Sequence, residues 1–112
     1  GRVEVATNLS IESLFDRIGE CAAFIANDSG LMHIAAAQNV PTLGIFGPTD
    51  AIRTRPFNRK SHAIVNALPC SPCALTDDPR RRAFHCIHPT RRCLTELAPT
   101  TVANAFDALY AA

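Results

Sequence analysis

Residues 27–37 read Asn27-Asp28-Ser29-Gly30-Leu31-Met32-His33-Ile34-Ala35-Ala36-Ala37, between two short apolar runs at 22–26 and 40–46. This stretch constrains the fold more than any other. The flanking runs are short and unalternating, as in strands covered on both faces. The alanines between them suit a short helix from Ser29 to about Gln38, with Asn39 and then Pro41 ending it. Two strands joined by such a helix imply a parallel sheet with a right-handed crossover. The polar turn at Asp28 then sits at the carboxyl end of its strand, where open α/β sheets bind ligands. A helix start leaves backbone N–H groups unpaired, with the positive end of the dipole behind them. Gly30 removes a side chain that would hold an anion away. Asp28 and His33 set a carboxylate and an imidazole beside those amides. The expectation is a cradle for a phosphate carrying a sugar. Taken alone, Asp-Ser-Gly also reads as an ordinary helix cap and turn.

The rest of the chain extends this α/β pattern. Val3 to Val5 forms an expected strand. Ser10 is the expected N-cap of a helix with one apolar face, built from Ile11, Leu14, Phe15, Ile18, Cys21 and Ala22. Gly19 weakens that helix near its end, and Cys21 is expected as a small core residue. Gly47-Pro48-Thr49-Asp50 forms a turn facing the same crevice as Asp28. Residues 51–61 read as polar and irregular, and 63–65 as a third strand. Pro99 opens a helix over 99–111 whose stripe is Val102, Ala105, Phe106, Leu109 and Tyr110. At 112 residues and 47% hydrophobic, the chain holds one core and is read as a single domain. It contains no run long enough to span a membrane and no recognisable signal peptide. A strand-like start without Met reads as the interior of a longer protein.

Nine of the eleven Lys and Arg residues fall between Arg53 and Arg92, against only Asp77 and Asp78. That half suits an anionic ligand or surface. Within it, residues 69–93 form a loop rich in Cys and Arg. Cys70 and Cys73 lie two residues apart, and Cys86 and Cys93 follow. The spacing fits a tetrahedral thiolate site for structural zinc or iron, with His85 and His88 as substitute ligands. Metal binding would supply folding free energy, of order 10 kcal/mol, to a segment with little apolar surface of its own. Disulfides and unligated thiols stay open as alternatives. No aromatic platform accompanies the loop's arginines, which argues against nucleic acid as a partner.

The string from Asp28 to Ala37, followed by Pro41 and by Phe46-Gly47-Pro48-Thr49-Asp50, resembles the signature of glycosyltransferase family 9, the ADP-heptose:lipopolysaccharide heptosyltransferase type. The likeness is dense over residues 9–50 and looser through the cysteine segment and final helix. It implies a Rossmann-like α/β fold, part of the C-terminal, donor-binding domain of a GT-B enzyme, across residues 1–112. It further implies that the amides of Ser29 and Gly30 hold the donor diphosphate and that Asp28 meets sugar hydroxyls. His33 would stand near the phosphates, Leu9 near the nucleobase, and Thr49 in the same crevice. The donor would be a nucleotide diphosphate sugar such as ADP-heptose, and the acceptor a lipopolysaccharide-core or other glycan. No catalytic cofactor is implied. The base would come from a first domain outside this chain, leaving these residues inactive alone. The setting would be cytoplasmic, peripheral to the inner membrane. Two other readings are a GT-B enzyme of another kind, such as a nucleotide-sugar epimerase, and a non-catalytic metal-stapled binding module.

Overall fold

The computed structural model describes residues 2–48, 51–66, 68–70 and 92–111. Its described elements run α1 (Ile11–Gly19), β1 (Phe24–Asn27), α2 (Gly30–Ala37), β2 (Thr42–Phe46), α3 (Ala51–Thr54), β3 (His62–Val65), α4 (Arg92–Thr95) and α5 (Pro99–Ala111). The strands form one parallel sheet in the order β1-β2-β3. This is the parallel α/β arrangement the residue pattern predicts, and it is consistent with the Rossmann-like fold the family resemblance implies. The 69–93 loop lies largely outside the described residues.

α1 begins at Ser10, whose hydroxyl accepts the Ser13 amide at 3.1 Å. This satisfies one of the donors that a helix start leaves open. α1 ends at Gly19, the poorest helix former in its sequence. Because it stops there, Cys21 falls outside the helical period. The expectation of a buried Cys21 is therefore corrected: the thiol is exposed and donates to the Arg17 carbonyl at 3.4 Å. The N-terminal strand is also corrected. Residues 2–6 form no strand, and Val3 and Val5 are almost fully exposed. Instead, Glu4 accepts from Arg17 at 2.8 Å. That hydrogen bond, and then the carboxylate's charge, raise the Arg17 guanidinium above its ordinary range.

β2 is the buried centre of the sheet, as its apolar run predicts. β1 alternates between half-buried and exposed residues, because it stands at the edge of the described sheet rather than under two layers. α2 lies close over both strands. Its inward residues are Met32, Ala35 and Ala36, and Gly44 in β2 leaves room for them. A Cβ at Gly44 would stand 2.6 Å from Met32 Sδ and 2.9 Å from Phe46. Ile18, Ala35 and Val40 join α1 to α2, with Leu14, Phe24 and Ile34 packed on them. Gln38 fixes the pair by donating to the Phe15 carbonyl at 3.0 Å. After Gln38, Asn39 takes a left-handed conformation with φ 63°, which Asn tolerates better than most residues. The helix therefore stops where Asn39 and Pro41 predict.

Residues 51–61 hold more order than their polarity suggests. α3 forms a single turn. Beyond it, Asn58 donates to the carbonyls of Ala36 (3.1 Å) and Val40 (3.0 Å). Its own oxygen accepts the Ser61 hydroxyl at 2.8 Å and the Lys60 amide at 2.9 Å. Ser61 Oγ in turn accepts the Thr42 amide at 3.0 Å. One asparagine thus ties the loop to the end of α2 and the start of β2.

Candidate functional site

The strand-turn-helix at Asp28 has the geometry its residues predict. The Asp28 amide donates to the Ile45 carbonyl at 3.1 Å, carrying the ladder one residue past β1. Ser29 then takes an extended conformation (φ −156°, ψ 169°) at the N-cap of α2, and its side chain makes no capping bond. A hydroxyl in that position normally covers one helix-start amide; here it does not. Gly30 is exposed, and a Cβ built on it would meet nothing within 4 Å. Among the described residues, nothing crowds the position a side chain at Gly30 would take.

α2 divides its residues by face. Met32, Ala35 and Ala36 go inward, while Gly30, His33 and Ala37 form an exposed stripe at three- and four-residue spacing. His33 is thus no core histidine; it stands one turn beyond Gly30 on the open side. Asp28 is half-buried between the strand end and the helix and is engaged in further interaction. These four residues are brought together by local chain geometry. Leu9 is half-buried just before α1. Since α1 leads back into β1, the chain direction puts its start at the carboxyl end of the sheet, the end that carries Ser29. Thr49, with Asp50, lies outside the described residues.

The neighbouring strand ends are closed in a different way. Gly47 is buried, and a Cβ there would stand 2.9 Å from Leu94 Cγ and 3.2 Å from Cys93 Sγ. α4 therefore packs beneath the Gly47-Pro48 turn. Asn66, just past β3, donates to the Arg92 carbonyl at 3.2 Å. Arg92 grips Glu96 at 2.6 and 3.3 Å. The bond to Glu96, then that carboxylate's charge, raise the Arg92 guanidinium above its usual range, and Cys70 adds a smaller push. Cys70 thus lies within electrostatic reach of Arg92, the neighbour of buried Cys93. Of the proposed thiolate set, Cys73 and Cys86 lie outside the described residues. Among the described residues, no three His, Cys, Asp or Glu side chains gather as a metal site.

The residue whose importance the sequence hid is Asn58. It looks like one more polar loop position, and its role depends on two carbonyls some twenty residues away. Gly47 could have been suspected, since a glycine ending a buried strand often marks a close approach.

A parallel sheet with a helix starting at a strand's carboxyl end is the arrangement in which open α/β sheets hold their ligands. The sequence profile of glycosyltransferase family 9 (heptosyltransferase) matches residues 2–83, and the chain belongs to that family. It is 33% identical over 111 residues to lipopolysaccharide heptosyltransferase 1 of Pseudomonas aeruginosa, covering 94% of this chain and 31% of the relative. It is 34% identical over 94 residues to lipooligosaccharide heptosyltransferase 2 of Campylobacter jejuni, covering 83% and 27%. Against the Haemophilus influenzae lipooligosaccharide heptosyltransferase 2, identity is 42% over 62 residues, covering 55% and 18%. The chain thus spans less than a third of the length of these relatives. No solved structure matches it significantly. No described helix is long and apolar enough to cross a membrane.

Proposed function

We propose that these residues are the donor-binding half of a transferase that moves a heptose from ADP-heptose to a lipopolysaccharide-core acceptor. The observation that supports this most is the helix start itself. The Ser29 side chain makes no capping bond, and among the described residues nothing stands within 4 Å of a Cβ at Gly30. The names of the relatives supply the sugar and the acceptor. On this reading residues 1–112 form one nucleotide-sugar-binding unit, and the acceptor reaches it from other parts of the enzyme.

The chemistry follows from charge. When a glycosyl bond to a diphosphate breaks, negative charge grows on the leaving oxygen. The amides of Ser29 and Gly30 are already oriented and stabilise that charge without reorganising. Losing one such donor typically costs about 2.7–4 kcal/mol of transition-state stabilisation. Asp28 receives sugar hydroxyls, His33 faces the phosphates from the next turn, and Leu9 and Thr49 complete the crevice. Cys70, Cys73, Cys86 and Cys93 form a structural zinc or iron site that holds the 69–93 loop and has no part in the reaction.

Kinetics of the full-length enzyme with ADP-heptose test the proposal. Asp28→Ala is expected to lower kcat/KM at least tenfold while its main-chain bond to Ile45 survives, and Asp28→Asn, of the same size, separates the loss of charge from the loss of any contact Asp28 makes within the protein. His33→Ala is expected to lower turnover without loss of stability, being exposed. Unchanged kinetics in both variants would falsify the assigned roles.

A further inference from the structure

Ala22, Pro41 and Ser61 lead into β1, β2 and β3. Because the strands are parallel, these residues gather at one end of the sheet, opposite Ser29. There, together with α5, they line a hollow of about 600 Å³. Ala105 and Ala108 are its contribution from the middle of α5, and their small side chains leave it room. Small-molecule sites commonly measure about 300–1,000 Å³. The hollow has two unlike sides. On one, the loop before β3 supplies Arg59, Lys60 and His62. Among the described residues, these side chains make no hydrogen bond or ion pair, and no Asp or Glu lines the hollow. A cleft walled by one sign of charge concentrates the opposite sign. The backbone beneath them is fixed: the Lys60 amide donates to Asn58 Oδ1 at 2.9 Å, and Asn58 is bonded to Ala36 and Val40. On the other side, α5 supplies Leu109 and Tyr110. The Tyr110 ring stacks on Phe106, with centroids 6.0 Å apart and 22° between planes, yet stays 61% exposed. An aromatic surface is thus held in place before any ligand arrives. The carbonyls that end α5 put the negative end of its dipole on this side, which directs an anion to the loop and an apolar group to the helix.

We infer that this hollow is a second ligand site, for a small soluble phosphate monoester carried on a planar ring. A terminal phosphate bears about two negative charges and three acceptor oxygens. The Arg59 guanidinium holds two of those oxygens at once, and Lys60 and His62 donate to the third. The ring of the ligand lies on Tyr110 and Leu109, where aromatic faces gain from stacking as well as from burial. ADP-heptose has no terminal phosphate, since its diphosphate is closed at both ends, so the hollow and the helix start at Gly30 take different ligands. The two sites lie at opposite ends of the sheet and can be filled together. This inference does not depend on the proposed transferase activity.

Phenyl phosphate is the simplest probe of this class, with inorganic phosphate and phenol as its separate halves. Titrated into the ¹⁵N-labelled full-length protein, it is expected to shift the amides of Ser61, His62 and Tyr110 and to saturate. Each half alone should bind there more weakly. Arg59→Gln and Lys60→Gln combined should weaken the binding of phenyl phosphate about tenfold or more. Both side chains are exposed, so the circular dichroism spectrum should be unchanged. Tyr110→Ala, tested independently, should bring phenyl phosphate down to the affinity of inorganic phosphate. Three results would each overturn the inference: amides at Ser61, His62 and Tyr110 that do not move, inorganic phosphate binding there as tightly as phenyl phosphate in the parent, and a double variant that binds like the parent.

Discussion

The main-chain amide of Asp28 is bonded to the carbonyl of Ile45 at 3.1 Å, one step beyond the last paired residue of β1. That bond sets where the strand stops and the turn begins. It holds Asp28 by its backbone, so the ladder does not depend on its side chain. The following residue takes an extended conformation, and α2 starts with Gly30, where a Cβ would meet nothing among the described residues. A donor diphosphate needs such a site: amides fixed by the fold, with nothing bulky before them.

The close seating of α2 depends on Gly44. Gly44→Ala places a methyl 2.6 Å from Met32 Sδ and 2.9 Å from Phe46, both fully buried. Overpacking of this kind costs about 1–3 kcal/mol. Chemical denaturation of parent and variant checks this. Equal midpoints would mean that α2 can lift from the sheet freely.

Asn58→Ala removes two donated and two accepted hydrogen bonds. With each worth about 0.5–1.5 kcal/mol net, a loss of roughly 2–6 kcal/mol is expected. Asn58→Asp should recover little, since a carboxylate cannot donate to the Ala36 and Val40 carbonyls. Urea unfolding of the three proteins measures the difference, and an Asn58→Asp variant as stable as the parent would contradict this role.

What the sequence made legible was local. The cap at Ser10, the end of α1 at Gly19, the α2 stop at Asn39 and the buried run of β2 depend on neighbours a few residues away. So does the layout of Asp28, Ser29, Gly30 and His33, which sit on one turn and the next. What was hidden depends on distant partners. Val3 and Val5 alternate like a strand but lack one to pair with among the described residues. Cys21 keeps the helical spacing after the helix has ended. The ordering of 51–61 rests on Asn58 reaching back to Ala36 and Val40, which no composition reveals.

The cysteine proposal has its own check. Purified under reducing conditions, the protein is expected to carry a stoichiometric equivalent of zinc or iron. Cys70→Ser should release the metal and lower the melting temperature by several degrees, because metal binding is folding free energy for such a loop. A parent that is metal-free and folded removes the site.

The central claim is that a donor diphosphate rests on the amides where α2 begins. Amide chemical-shift mapping of the ¹⁵N-labelled full-length protein, titrated with ADP-heptose, tests it most directly. The largest shifts are expected at Ser29, Gly30 and Leu31, with little change at Arg59 or His62. Saturable binding that leaves those three amides unmoved would contradict it.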